Sequence, residues 1–346
     1  MSNPEVDSLS QSYRRRAERL AALVAPVLPG LERSEEFLSR YLANPHPFIQ
    51  RLAKHTEQFR GKRLRPALLL LSMRAFKPQM SPTETAPLAC ETAALVEMIH
   101  LATLCHDDIL DDAATRRNAP TVNAEWGNKA AVMTGDMLFA RSFEEMGSFS
   151  DARPMRVLSS TSRQICEGEL LQVASRFDPN IGEPAYLDLI EKKTGALFGA
   201  AGELGAVLAG GTAEQGERMN QYGRRLGMAF QIVDDCLDLV GVEKTVGKSL
   251  GSDLKNGEPT LPLIHILNKA GAAARQKVLD LFKAGNPDLT REKLSPILRE
   301  SGSIDYALNF ARTEVQRARE CLAFLAPSSA KECLLEVTEY VIARDS

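Results

Sequence analysis

Strand-like alternation is what this 346-residue sequence most clearly lacks. No stretch keeps apolar and polar residues alternating as a half-buried strand requires, and aromatic residues make up only 6% of the chain, so an all-β architecture is disfavoured. A basic surplus is missing as well. The net charge of −3 and a pI near 6.1 argue against general nucleic-acid binding, which depends on neutralising backbone phosphates. Cys90, Cys105, Cys166, Cys236, Cys321 and Cys333 form no CxxC pair and no metal-finger spacing, and they read as reduced thiols of a cytoplasmic protein. Uninterrupted apolar runs of the roughly 18 residues that suggest a membrane span are lacking too. Tyr13-Arg14-Arg15-Arg16 precedes an apolar stretch, but Glu18, Arg19 and Pro26 interrupt it. Leu20, Leu23, Val24, Val27 and Leu28 there fall on helical spacing, so the segment reads as a surface helix and not as a targeting peptide.

What is present is helical. Pro66 suits a first helical position ahead of a Leu-rich run to Arg74, and Thr85 with Pro87 offers another start. Leu88 to Ile109 is apolar on almost every face, broken by Glu91, Glu97 and His100, as expected of a helix buried among helices. Met219, Tyr222, Leu226, Phe230, Val233 and Leu237 mark a second such segment. Breaks fall at Asp178–Pro184, at Gly210-Gly211 and across Gly241–Pro262. With no long polar linker, the chain reads as a helical extension over 1–34 followed by one all-α domain over 35–346, an antiparallel helical bundle.

Both apolar helices end in the same acidic pattern. Asp107, Asp108 and Asp111 form a DDxxD, with Asp112 beside it, and Asp234, Asp235 and Asp238 form another. Residues four apart on a helix share a face, so each motif projects paired carboxylates. Such crowding is costly unless a cation is shared, and hard oxygen ligands of this kind suit Mg2+, which bridges carboxylates to substrate phosphates. A solvated helix end is the alternative for one cluster; its repetition, each time with basic residues following, favours the metal. Lys62, Arg63 and Arg65 precede the first cluster, Arg116 and Arg117 follow it, and Lys248 and Lys255 follow the second. Arginine forks and lysine point charges are phosphate partners.

Gly61-Lys62-Arg63-Leu64-Arg65-Pro66, His106-Asp107-Asp108-Ile109-Leu110-Asp111 with Arg116-Arg117, Lys193-Thr194, and Phe230-Gln231-Ile232-Val233-Asp234-Asp235-Cys236-Leu237-Asp238 resemble the motif series of the trans-isoprenyl diphosphate synthases (polyprenyl synthetases). Gly247-Lys248 and Gly257-Glu258-Pro259-Thr260-Leu261-Pro262 fall where that family has its later basic segments. The resemblance implies a deep central cavity between the two aspartate helices. There Mg2+ held by Asp107, Asp111 and Asp234, with Asp108, Asp235 and Asp238 nearby, binds an allylic diphosphate together with Arg116, Lys193 and Lys248. It implies that Lys62, Arg65, His100 and Arg117 hold isopentenyl diphosphate and that Thr194 and Gln231 line the reaction centre; read alone, His100 is a satisfied core histidine. A homodimer is implied, with no transmembrane segment and transient membrane contact for product release. One departure stands out: Glu258 occupies a position where the family often carries a lysine, which implies either weaker substrate binding or that Lys255 takes over, and the phosphate role is not carried onto Glu258.

A growing tail that starts at Asp107 runs down the same helix past Thr103 and Ala102 toward Ile99, Met98 and Leu95, each turn adding about 5.4 Å. Short-chain members of the family place Phe or Tyr at one of the positions held here by Ala102 and Thr103. Two small residues there predict a long product, nearer octaprenyl than farnesyl, with Phe139 and Phe143 as the floor. The alternatives are a shorter geranylgeranyl or farnesyl synthase, a terpene cyclase, and a non-catalytic subunit of a heteromeric synthase; the second DDxxD disfavours the cyclase, and the full set of motif aspartates disfavours the silent subunit.

Overall fold

The computed structural model describes residues 18–59, 61–81, 84–241, 250–269, 271–283 and 287–343. Of these, 80% are helical. The principal helices are α1 (Leu28–Tyr41), α2 (Pro47–Thr56), α3 (Leu64–Phe76), α4 (Pro87–Leu110), α5 (Val122–Trp126), α6 (Asn128–Gly147), α7 (Arg153–Ser175), α8 (Glu183–Ile190), α9 (Ala196–Leu208) and α10 (Ala213–Val240). Then follow α11 (Ser252–Lys255), α12 (Leu261–Lys269), α13 (Ala272–Lys283), α14 (Pro287–Glu300), α15 (Ser303–Cys321) and α16 (Ser329–Ile342).

The bundle is organised around α4 and α10. Helix α4 packs against α1, α3 and α6, while α10 packs against α9 and α15. Close approach is built into the sequence of α9 and α10: a Cβ at Gly202 would lie 2.4 Å from the Met219 carbonyl oxygen, and one at Gly223 would lie 2.2 Å from that of Phe198. Met98, Ile99, Leu101 and Ala102 of α4 and Tyr222, Leu226 and Ala229 of α10 are fully buried in one core, which also takes in Leu23, Val27 and Leu31. The 18–24 stretch is helical as its spacing predicted, although Leu28 turns outward at 43% exposure.

One sequence expectation, the helix start at Pro66, needs correction, and two others gain detail. Helix α3 begins at Leu64 after Arg63 in the left-handed region (φ 55°), so Pro66 is its third residue and not its first. By length and mean hydropathy α4 is apolar enough to cross a membrane, although charges interrupt every apolar run in it, and 78% of that window is buried inside the protein. The all-α class holds, with one short ribbon among the described residues: Thr115–Arg116 (β1) pairs antiparallel with Ala119–Pro120 (β2). Arg117 and Asn118 between them both have positive φ (51° and 64°), the geometry of a tight two-residue hairpin turn. Two-residue strands are too short to leave an alternating pattern.

Candidate active site

The first cluster sits where α4 ends. Asp111 caps the helix and its N–H donates to the Asp107 carbonyl at 2.9 Å, which keeps the two acids one turn apart, and Asp112 (φ 48°) turns the chain away. The β-hairpin returns Arg116 to this cluster, where its Nε donates to Asp108 Oδ1 at 2.8 Å. Burial nevertheless pushes the Asp108 carboxyl up to about 6, Arg116 pulling against it and Asp107 and Asp111 adding to it. Asp107 Oδ1 and Asp108 Oδ2 are buried and have no hydrogen-bond partner among the described residues. Buried acceptors left open in this way call for a cation or its water. Among the described residues no three acids, histidines or cysteines converge tightly enough to cage an ion by themselves. Paired carboxylates without a cage fit a metal that completes its shell with water and substrate phosphate oxygens.

The second cluster lies inside α10 and is used differently. Asp235 accepts from Tyr186 Oη at 2.6 Å and from Gln231 Nε2 at 2.8 Å, and Thr194 Oγ1 donates to Gln231 Oε1 at 2.8 Å. Burial pushes the Asp235 carboxyl up to about 7, partly offset by these two donors. Asp238 is fully buried and accepts from Ser252 Oγ and from the Asp253 N–H, both at 3.1 Å, so it holds α11 rather than facing the first cluster. Asp234 is the one acid of this motif that is partly exposed.

Lys193 faces the first cluster, where it acts on Asp107 and Asp111. Residues Glu191–Gly195 form a π turn between α8 and α9, in which the Ala196 N–H reaches back to the Glu191 carbonyl. Gly168 lets α7 pass within contact of it, since a Cβ there would lie 2.5 Å from the Lys193 nitrogen. Such turns recur at functional sites. Lys193 Nζ donates to Glu169 at 2.9 Å. Burial alone would lower its ammonium, but Asp107, Glu169 and Glu258 together raise it above the usual lysine range. Glu169 is itself driven up to about 8, by burial first and by Asp107 second.

The basic pole lies one to two turns back along α4. Arg65 stacks its guanidinium over Phe198, 4.5 Å from the ring centroid, and burial lowers it to about 10. Arg117 donates to the Phe59 carbonyl across Gly61, where any side chain would strike its guanidinium. The His100 imidazole is held well below its usual range by burial and then by Arg65, Arg117 and Arg116, so it is neutral among three cations. Lys62 Nζ lies over the Tyr340 ring at 5.3 Å. Three guanidiniums around a neutral imidazole make a site for a polyanion.

Of the chain-length residues, Met98, Ile99 and Ala102 are fully buried, while Thr103 is partly exposed and donates to the His100 carbonyl at 2.8 Å. Phe139 stacks on His106 and on Phe143, with centroids 6.0 and 6.3 Å apart. Lys248 lies outside the described residues. Lys255 is exposed, and Glu258 is reached by Arg176 at 3.2 Å and hydrogen-bonded by the Gln172 side chain. Sequence reasoning missed Arg176, Glu169, Gln172 and Tyr186. Gly168-Glu169 with Gln172 one turn later, facing inward on an otherwise exposed stretch of α7, was the available signal for two of them.

Residues 46–297 match the profile of the polyprenyl synthetase family. The chain belongs to the polyprenyl synthetase family. It is 33% identical to the octaprenyl diphosphate synthase of Haemophilus influenzae over 317 residues, which covers 92% of this chain and 94% of that one. It is 34% identical to the geranylgeranyl diphosphate synthase of Methanosarcina mazei, with 98% of each chain covered. Among solved structures, a polyprenyl synthase from Caulobacter crescentus complexed with calcium and isoprenyl diphosphate superposes with a TM-score of 0.86 at 31% identity, covering 94% of this chain and 97% of that one. Family and fold make the chain a prenyltransferase, a prenyl diphosphate synthase of the all-α isoprenoid synthase fold. Relatives of nearly equal similarity make products of different length, so membership of the family leaves the length open.

Proposed function

We propose that the chain condenses isopentenyl diphosphate repeatedly with an allylic diphosphate, farnesyl or geranylgeranyl, to give a long all-trans polyprenyl diphosphate of octaprenyl-like length, with Mg2+ at the aspartates. The observation that carries this reading is the pairing of two poles along α4. The acidic pole has open buried oxygens at Asp107 and Asp108, and the basic pole has neutral His100 among Arg65, Arg116 and Arg117. An acidic pole can take a diphosphate only through a metal, and a basic pole takes one directly. Two diphosphates, bound differently, are what a chain-elongating condensation requires.

Asp107, Asp111 and Asp234 would hold the metal, with Asp108 nearby. The ion, when bound, supplies neutralisation of the charge that develops on a departing diphosphate. Arg116 and Lys193 add fixed positive charge on the same side. Lys62, Arg65, Arg117 and His100 hold isopentenyl diphosphate so that its double bond faces the allylic carbon, and Thr194 and Gln231, fixed to each other and to Asp235, line the gap. The allylic C–O bond breaks with its electron pair on the diphosphate. The isopentenyl double bond then closes the new C–C bond, and the proton lost passes to the released diphosphate, so no side chain need act as a strong base. Small Ala102 and Thr103 let the tail descend α4, with Phe139 and Phe143 beside it. Exposed Val132, Met133, Leu170, Leu171 and Val173 on α6 and α7 support a homodimer.

Mass spectrometry of the product made from farnesyl diphosphate, excess isopentenyl diphosphate and Mg2+ tests this reading. A series reaching about eight isoprene units is expected. A product ending at farnesyl or geranylgeranyl overturns the length, and no condensation at all overturns the activity.

A further inference from the structure

Two loops meet over the first cluster. Helix α7 stops at Ser175, Arg176 leaves it in an extended conformation (ψ 131°), and Phe177 follows in the left-handed region (φ 59°), an unusual conformation for an aromatic residue. That conformation is held from the other loop, because the Phe177 N–H donates to the Gly257 carbonyl at 2.7 Å. Gly257 also has positive φ (69°), and a Cβ there would come within 2.5 Å of the Phe177 ring. The junction aims the Arg176 guanidinium back at the end of α4. Its Nη1 donates to the Leu110 carbonyl at 3.0 Å, and its Nη2 donates to Asp111 Oδ1 at 3.0 Å and to Glu258 Oε1 at 3.2 Å. Asn256 Nδ2 reaches the same Asp111 oxygen at 3.2 Å.

We propose that Arg176 is a positioning residue for the metal–diphosphate site: it orients the Asp111 carboxylate through Oδ1 and leaves Oδ2 to the ion, while Glu258 serves to hold Arg176 and binds neither metal nor phosphate. The proposal deepens the reading given above and rests on its assignment of Asp111 to the metal. An acid at 258 facing a diphosphate would repel it, but this one is turned to the Arg176 guanidinium, which it shares with Asp111, and lies beside the Lys193 ammonium. Carboxylates that ligate a metal are themselves hydrogen-bonded, and loss of such a supporting partner typically costs about 10- to 100-fold in metal affinity. An arginine meets this demand where a lysine would not, because its planar fork can serve the helix-end carbonyl, the ligand carboxylate and the partner acid at once.

The test is Mn2+ binding to the purified full chain with inorganic diphosphate, followed by electron paramagnetic resonance. R176A is expected to weaken Mn2+ binding about 10- to 100-fold, R176K by less, and E258Q least, since its amide oxygen still accepts from Arg176. Because Glu258 acts through Arg176, E258A added to R176A should weaken binding no further. Unchanged Mn2+ affinity in folded R176A, or losses that multiply in the double variant, would overturn the proposal. Should R176A fail to fold, R176K and E258Q carry the same comparison. A wild-type chain that binds Mn2+ and responds to R176A yet makes no product sinks the proposed function alone, whereas normal product with indifferent Mn2+ affinity sinks this inference alone.

Discussion

The two DDxxD motifs are the same in sequence and different in use. In the first, the helix ends inside the motif, and two buried carboxylate oxygens have no hydrogen-bond partner among the described residues. In the second, the helix continues past the motif, Asp235 is taken up by Tyr186 and Gln231, and Asp238 is taken up by Ser252 and Asp253. The second motif thus contains two acids, Asp235 and Asp238, that fasten α10 to its neighbours. Distance to the helix end does not separate the two motifs, since Asp108 and Asp238 each lie two residues from it; what does is the neighbour, Tyr186, Ser252 and Asp253 supplying donors to the second motif while none reaches Asp107 Oδ1 or Asp108 Oδ2 among the described residues.

The sharpest break of this comparison is at the acids assigned to the site. Asp107→Ala and Asp234→Ala should each lower turnover at least about 100-fold with helical circular dichroism intact, since each removes charge facing the developing negative charge on the diphosphate. Normal turnover in either, or full activity in excess chelator, would mean the clusters hold no metal. Asp238→Ala should show the reverse balance. Asp238→Ala removes the acceptor of the Asp253 N–H and the shorter of two for Ser252 Oγ, a loss of about 1–3 kcal/mol read in urea denaturation as a lower midpoint. A stable Asp238→Ala that loses activity as Asp234→Ala does would restore the symmetric view.

The next two predictions sharpen the comparison. Each motif has a fully buried alanine five residues before it, Ala102 and Ala229. Only α4 is assigned the product tail, so Ala102→Tyr should shorten the product toward geranylgeranyl with the first condensation rate kept within a few-fold. Ala229→Tyr should cost stability by overpacking, about 1–3 kcal/mol, with product length unchanged. Equal effects on length, seen by mass spectrometry, would place the tail elsewhere. The smallest effect is at the basic pole. His100 stays neutral in the folded protein but protonates near its ordinary 6.5 once unfolded. The unfolded state therefore gains protons as pH falls below 6.5, and stability present above that pH is lost at up to about 1.4 kcal/mol per pH unit. His100→Gln should remove that share of the slope between pH 6.5 and 5 in denaturant titrations. An unchanged slope would mean the imidazole is not held neutral.

The helical class was legible because apolar spacing and the placing of proline and glycine carry it directly, and the motif residues announced themselves by being charged beside apolar runs. The rest was hidden for physical reasons. Arg176, Glu169 and Tyr186 are ordinary residues of α7, α8 and their loops, and their roles come from contacts 24 to 82 positions away in sequence. The hairpin that returns Arg116 to Asp108 depends on two positive φ angles that Arg117 and Asn118 only weakly favour. The different fates of Asp235 and Asp238 follow from Tyr186 and Ser252, which no spacing within the motif can foretell.

The π turn at Glu191–Gly195 amounts to one residue too many in an otherwise regular helix. Deleting Lys192 would let α8 run straight into α9 with ordinary hydrogen bonds, and each residue removed swings the helix that follows by about 100° relative to what precedes it. The shortened helix would have better backbone geometry, but either Lys193 or the α9 face against α10 would then turn away from its partners. A less regular backbone is thus kept where a straighter one is a single deletion away, and selection for thermal stability alone would act against the turn that holds Lys193 at the first cluster.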